Sequence, residues 1–410
     1  MAAAPIEWMM LEPFVFRRDE DSSFPDDSTA PFRAEGISSY GGPFTVALRI
    51  VAPPAISRLY LHWPGGPKEG SSSDIVATHH NLLLFRLTSN PVKEKDESLI
   101  WPQEYFICQA SLHDQRLQIH QIPMCTLRSL HPRSIGLLCW PQEEFVLAQL
   151  HLSESQLPRK MEAELCILRS DKWELLQNLR IKYGFDELSD LVHWRTDRVI
   201  PFENNLCFVS YFSGGILFCD LSQKKPKMSY HQLPMRGRYH STDPNCLDDM
   251  NCSLCISDSG SKLMFVSVVP QDAELFGPMH PGTDFFVTCH TWSTEDMDWY
   301  MVFSIKSDEI WSFNAYVPHG VFMFPLVSMA NSCELYFLFS EEGIRVSLIA
   351  LDTITKGMRI HQYIKGEEDL GGEDDDMVRW KCRLLNPFVP SDFPNFLVFA
   401  SHLSIFFHCS

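Results

Sequence analysis

Cys252-Ser253-Leu254-Cys255, with Cys246 and His240 upstream, carries one half of a zinc-site spacing. Tetrahedral zinc takes four ligands, and no second close pair follows, so the expectation is a strand, not a metal site. On that strand, bracketed by Cys252 and Ser257, the alternate residues Leu254 and Ile256 face a core. A thioredoxin-like role for the two thiols fails because the βαβ context it needs is missing. His79, His80, His240, His290 and His319 are the imidazoles that a metal or a general base in the central channel of a ring-shaped β-fold would draw on. Ordinary hydrogen-bonded or solvent-facing rings are the simpler expectation. Beside His193 the nearest following acid, Asp197, is expected to pair with Arg195 or Arg198 and not to complete a triad. Asp220 and Asp352 each end a hydrophobic run, where a carboxylate caps backbone amides of a turn. The Gly-x-Ser-x-Gly elbow, the phosphate loop with Lys-Ser/Thr, the dinucleotide Gly-x-Gly-x-x-Gly and the His-Glu-x-x-His helix are all missing from the sequence. The expectation is a protein that is not an enzyme, with no catalytic residue, no cofactor and no metal.

One charged segment is a candidate contact for a protein partner. Glu367, Glu368, Asp369, Glu373, Asp374, Asp375 and Asp376 lie in a Gly-interrupted run, 366–376, that repels itself and stays solvated. It lacks the alternating oxygens and closing Glu of a calcium loop, so a basic protein surface is the partner it suits. Trp292, Trp299 and Trp311 are either interface anchors or packing between neighbouring strand groups, and packing is the expectation.

The chain that must position these residues has 410 of them, 45% hydrophobic and 21% charged, which is a globular composition with enough apolar matter for a sizeable core. Its net charge of −18 disfavours nucleic acid and anionic lipid, both of which call for a basic surface. No small-molecule ligand is suggested either. The first residues have neither a basic start nor a seven-residue apolar core before Glu12, which predicts a protein that is not secreted and acts in the cytoplasm, the nucleus or both. No stretch approaches 18 uninterrupted apolar residues, so no membrane span is expected. Thirteen cysteines, most in apolar runs such as Tyr105-Phe106-Ile107-Cys108, read as reduced and buried.

Short runs of β-branched and aromatic residues recur between Gly, Pro, Asn, Asp and Ser, while helical spacing of apolar residues is almost missing. Phe44 to Val51, Arg58 to Trp63, Ile75 to Thr78, Leu82 to Leu87, Cys252 to Ser257, Lys262 to Val269, Leu335 to Ser340 and Arg345 to Leu351 read as strands. Asp258-Ser259-Gly260-Ser261 supplies hairpin chemistry between Cys252–Ser257 and Lys262–Val269. One short helix is expected near Asp186 to Leu191. Asp19 to Thr29 is acidic and Ser/Pro-bearing, and residues 1–35 read as a flexible N-terminal segment ahead of a single domain, 36–410. An internal repeat is visible: Leu99-Ile100-Trp101-Pro102-Gln103-Glu104-Tyr105-Phe106-Ile107 matches Leu138-Cys139-Trp140-Pro141-Gln142-Glu143-Glu144-Phe145-Val146. A period of about 40 residues holding several short strands is that of four-stranded propeller blades. The fold expected is all-β and β-propeller-like, with roughly six to eight blades of short antiparallel strands.

Trp194-Arg195-Thr196-Asp197-Arg198-Val199-Ile200-Pro201-Phe202, Leu206 to Tyr211, Gly214-Gly215-Ile216-Leu217-Phe218-Cys219-Asp220 and Leu233-Pro234 resemble the plant family called domain of unknown function 1618, which is expanded in grasses. Tyr40-Gly41-Gly42-Pro43-Phe44 and Ala52-Pro53-Pro54-Ala55-Ile56-Ser57-Arg58-Leu59 extend the likeness toward the N-terminus, and the best match is 194–234. Ser210 departs from the family, whose members often carry Asp there. The resemblance implies a propeller-type domain with no catalytic residue to carry over, similar to those that follow F-boxes in plant ubiquitin-ligase receptors. The function expected is a non-enzymatic protein–protein interaction scaffold for an unknown partner. The alternatives are a substrate-receptor-like component of a ubiquitin ligase and a propeller hydrolase with a channel metal.

Overall fold

The computed structural model describes residues 5–67, 73–88, 92–93, 99–100, 102–111, 116–140, 144–155, 160–235, 250–271, 282–314, 316, 319–341, 345–362 and 388–397. The chain is all-β and propeller-like: among the described residues its strands form a nine-stranded sheet, an eight-stranded sheet, two four-stranded sheets and a two-stranded hairpin, within which six successive arrays of four strands follow one another along the chain. Packing divides it into two compact units where the sequence suggested one domain from residue 36 onward. One unit is Met1–Ala148, Cys166–Glu174 and Phe388–Ser410; the other is Gln149–Leu165 and Leu175–Pro387.

In the first unit, β1 (Met9–Arg17), β2 (Phe32–Ser38), β3 (Gly42–Arg49) and β4 (Ile56–His62) form one array. β2, β3 and β4 run as an antiparallel meander, and β1 returns parallel to β4, which is possible because β2 and β3 supply the long connection that parallel neighbours need. The reading of 1–35 as flexible is therefore corrected: β1 is buried at most of its positions. Two local devices hide this strand from a hydrophobicity scan. A register irregularity between Leu11 and Val15 takes up Pro13, which cannot donate to a ladder. Glu12, in mid-strand, is buried with Arg58, whose Nε lies 3.9 Å from its carboxylate and whose guanidinium covers Phe16. Asp26 then caps the following turn by accepting from the Ser28 and Thr29 N–H groups.

The second array is β5 (Asp74–His79), β6 (Leu82–Thr88), β9 (Gln103–Ala110) and β10 (Leu117–Gln121), with a small hairpin of β7 (Val92–Lys93) and β8 (Leu99–Ile100) inserted between β6 and β9. Phe44 meets the rings of Phe85 and Phe106 edge-on at 6.3 and 5.0 Å, joining the two arrays in one core. Each such fully buried ring contributes about 1.5–3 kcal/mol of hydrophobic free energy.

The third array is β11 (Ile135–Cys139), β12 (Phe145–Ser155), β13 (Lys160–Arg169) and β14 (Lys172–Lys182). Ser170 and Asp171, both at positive φ, turn β13 into β14 in the mirror-image turn that matches strand twist. β12, β13 and β14 each have residues in both units.

The second unit continues with α1 (Leu188–Val192), near the expected helix, and three meanders: β15 (Arg198–Phe202), β16 (Asn205–Ser210), β17 (Gly215–Asp220), β18 (Lys227–Gln232); β19 (Cys252–Ser257), β20 (Lys262–Pro270), β21 (Phe285–Ser293), β22 (Asp298–Lys306); and, after α2 (Ser307–Ser312), β23 (Val321–Val327), β24 (Glu334–Glu341), β25 (Arg345–Asp352), β26 (Gly357–Gln362). A last strand, β27 (Val389–Ser391), belongs with β1 to the first unit and pairs antiparallel with it. Gly215 is required: a Cβ there would sit 2.3 Å from the Tyr230 ring, and Gly214 before it has φ of +71°.

Arrays two to six begin at residues 74, 135, 198, 252 and 321, a spacing of about 60 residues. The 39-residue repeat is thus not the step from blade to blade. Its first copy runs from β8 into the third strand of array two, and its second copy from β11 into the second strand of array three. In each copy the pattern spans the end of one strand and the start of the next. Among the described residues no helix is long and apolar enough to cross a membrane.

Candidate functional site

The β5–β6 hairpin closes with His79 opposite Leu82, so its turn residues are His80 and Asn81. His80 has φ of 53°, the left-handed region that a two-residue hairpin turn demands. Its Nδ1 donates to Oδ2 of Asp392 at 2.8 Å, and its backbone N–H donates to Oδ1 of the same carboxylate at 3.0 Å. Asp392 directly follows β27, and Thr78 Oγ1 donates to the Pro390 carbonyl at 3.3 Å, so three hydrogen bonds tie the C-terminal segment to the hairpin. The Phe396 ring packs 5.2 Å from that of His80.

His79 is fixed differently. Its Nδ1 accepts the Cys139 N–H at 2.9 Å, which places its own proton on Nε2. Burial, and then the His80 ring 3.9 Å away, push its pKa down to about 3, against the pull of Asp392. Burial by itself would raise Asp392, but the hydrogen bond and charge of His80 outweigh it and hold the carboxyl below its usual range. A carboxylate that grips Nδ1–H leaves Nε2 with the lone pair, which is how an Asp orients a histidine base. Among the described residues no hydroxyl or thiol hydrogen-bonds to His80.

A second feature lies on β22, an edge strand in the order β19-β20-β21-β22. Cys289 faces Phe303 and His290 faces Met301, so Val302 is an extra residue with no counterpart on β21. The bulge breaks the alternation of the strand, and three consecutive side chains stay in solvent: Tyr300, Met301 and Val302 are 50, 52 and 52% exposed. Met297, 45% exposed, extends the strip, and the exposed acids Glu295, Asp296 and Asp298 border it.

The remaining residues singled out from sequence fall as follows. The acidic residues Glu367, Glu368, Asp369, Glu373, Asp374, Asp375 and Asp376 lie outside the described residues, as do His240 and Cys246. Cys252 and Cys255 are both buried on β19, three apart and so on opposite faces, which rules out shared ligation of one ion. His290 sits on β21 opposite Phe265 and Met301, and His319 stacks on Trp311 at 4.8 Å. His193 turns its Nδ1 back to the Ser189 carbonyl at 2.8 Å. Asp197 pairs with Arg195 at 2.8 Å, as expected, and its other oxygen accepts the Tyr211 and Phe212 N–H groups, so it also clamps the turn after β16. Asp220 and Asp352 are turn caps: Asp220 accepts from the Ser222 N–H, and Asp352 from those of Ile354 and Thr355. Ser210 keeps a polar contact at its turn by accepting the Ser213 N–H at 3.1 Å.

The tryptophans are packing residues. Trp292 stacks on Phe218 at 5.0 Å and meets Trp299 at 5.1 Å, joining β17 to β21 and β22. Trp299 donates its indole N–H to the Gln232 carbonyl. Trp311 packs edge-on against Phe285 and Phe322. Sequence reasoning missed Asp392, and it missed Tyr300-Met301-Val302. For the strip there was a signal, the unbroken apolar run from Trp299 to Phe303 beside acids; for Asp392 there was none.

Residues 209–336 match the family model described as "Protein of unknown function (DUF1618)", the family that the Trp194–Pro234 segment resembles. The match runs from β16 to β24 and so takes in the aromatic packing around Trp292 and the β22 strip. None of the curated proteins matches the sequence. Among solved structures the chain is similar to a puromycin-hydrolyzing peptidase from Mycobacterium tuberculosis, at 11% identity and a TM-score of 0.36, over 82% of this chain and 46% of that one. It is similar to TolB from Acinetobacter baumannii, at 10% identity and a TM-score of 0.32, over 84% of this chain and 66% of TolB. Prolyl oligopeptidase B from Galerina marginata gives 9% identity and a TM-score of 0.29, over 80% and 49%. The chain spans about half the length of the two peptidases.

Proposed function

We propose that this chain is an intracellular, non-enzymatic scaffold that binds another protein. The observation that supports the reading is the strip on β22: three adjacent large apolar side chains about half in solvent, on an edge strand, bordered by acids. A single exposed apolar residue is ordinary, whereas several on one unpaired edge strand offer another chain both backbone and side-chain contacts. The partner that suits it presents an apolar segment flanked by Lys or Arg, matching Glu295, Asp296 and Asp298 in charge. The acidic residues Glu367 to Asp376 serve the same partner as a second, electrostatic contact.

The test is affinity purification of the tagged chain with mass spectrometry, beside a triple variant Tyr300→Ser, Met301→Ser, Val302→Thr and a deletion of 366–376. One dominant protein recovered with the native chain and lost from the triple variant, with an unchanged circular-dichroism spectrum, is the expected result. Ligase adaptors as that protein would narrow the scaffold to a substrate receptor. Recovery of no partner, or of one indifferent to both variants, overturns the reading.

A further inference from the structure

We propose that Cys125 and Cys166 form a peroxide-sensitive dithiol, a modification site separate from the β22 strip. Their Sγ atoms lie 3.4 Å apart, in van der Waals contact, and are brought together across 41 residues of chain. A disulfide holds its sulfurs about 2.05 Å apart, so the two thiols are already within direct contact of each other before any bond forms.

The two thiols sit in settings suited to different roles. Cys166 is buried on β13, in regular strand. Cys125 is half-buried in the irregular segment between β10 and β11. That segment is held where Cys125 meets Cys166: Ile122 is buried in the core with Leu168, Leu130 and Trp173 pack against the same cluster, and the Trp173 indole donates to the Pro123 carbonyl at 2.7 Å. Between these anchors Met124 is 67% exposed, so solvent and small oxidants reach the stretch that carries Cys125. Burial and the hydrogen bond shared with Cys125 push Cys166 up to about 12, partly offset by Arg128, which fits the thiol that reacts second. Seven other described cysteines are buried: Cys108, Cys139, Cys207, Cys219, Cys252, Cys255 and Cys289.

The chemistry balances with hydrogen peroxide as oxidant. The Cys125 thiolate attacks one peroxide oxygen, the O–O bond breaks, and the departing hydroxide takes a proton to leave as water, giving Cys125 sulfenic acid. Cys166 sulfur then attacks the sulfenic sulfur, the S–O bond breaks, and the hydroxide released takes the Cys166 proton as a second water. Two thiols lose two electrons to one peroxide and end as one disulfide.

The test uses the full chain, reduced, desalted and treated with hydrogen peroxide, then digested under non-reducing conditions for mass spectrometry. A peptide joining Cys125 to Cys166 is expected, removed by dithiothreitol, with the oxidised chain melting several degrees higher because the cross-link restricts the unfolded state. Cys166→Ala is expected to stop Cys125 at sulfenic acid, captured by dimedone, and Cys125→Ser to leave Cys166 unmodified. Cys125 lies outside regular structure, so its variant reads the proposal even if the Cys166 variant does not fold. Both thiols remaining free in folded, peroxide-treated chain, or Cys125 joined to a different cysteine, would overturn it.

Discussion

His80 and Asp392 are 312 positions apart, yet the carboxylate takes both the ring Nδ1–H and the backbone N–H of the histidine, at 2.8 and 3.0 Å. The pair is a two-pronged, charge-assisted contact between a hairpin turn and the residues after β27.

Removing it tests how far it holds that C-terminal piece. Asp392→Ala is expected to lower stability by about 1–3 kcal/mol and to speed proteolysis around 388–397. His80→Asn is the matching change on the hairpin, since Asn tolerates the left-handed backbone there. Urea unfolding and limited digestion read both effects. Unchanged cleavage in both variants would mean that β27 pairing with β1 suffices without the side chains.

Acid is expected to weaken the same region. His79 falls from 6.5 unfolded to about 3 folded, so between those values the unfolded chain binds the extra proton and stability rises with pH. Acidifying from 6.5 toward 3 therefore costs up to about 1.4 kcal/mol per pH unit from this one group. Asp392, depressed in the folded chain, adds a loss as pH falls below the usual carboxylate range. Urea midpoints at a series of pH values should fall more steeply below 6.5 for the native chain than for His79→Gln.

At the turn before β17, Gly215→Ala is expected to be the more damaging of two neighbouring substitutions. Its methyl group would overlap the Tyr230 ring, whose hydroxyl donates to buried Asp190 at 3.0 Å. A loss of about 2–4 kcal/mol is expected, against about 1 kcal/mol for Gly214→Ala, where the cost is the positive φ alone. Thermal melts of the two variants give the order.

Core and surface aromatic residues one strand apart should separate clearly. Trp292→Ala empties a buried stack on Phe218 and is expected to cost about 3–5 kcal/mol. Tyr300→Ala, on the exposed strip, should stay within about 0.5 kcal/mol while weakening partner recovery. Melting temperature and pull-down yield, measured on both, distinguish packing from binding.

What was legible in the sequence was local. Cys252–Ser257 and Lys262–Pro270 stand where alternation and the Asp-Ser-Gly turn place them, because hairpin partners are set by residues a few positions apart. Asp220, Asp352 and the Arg195–Asp197 pair were readable for the same reason. β1 was not, since a buried carboxylate and a proline inside a strand look like loop until Arg58 and a register irregularity are known to absorb them. The Trp-Pro-Gln-Glu repeat misled on spacing because the junction between one strand and the next recurs within an array as well as between arrays.

The sequence by itself determined the all-β class, the turn positions and the packing character of the tryptophans, all of which follow from neighbouring residues and composition. Only the tertiary structure decided that Asp392 meets His80, that Cys125 touches Cys166, and that Tyr300, Met301 and Val302 remain in solvent. Each depends on which strands lie side by side and where one ladder gains an extra residue, and apolar alternation along a single strand is the same for many such pairings.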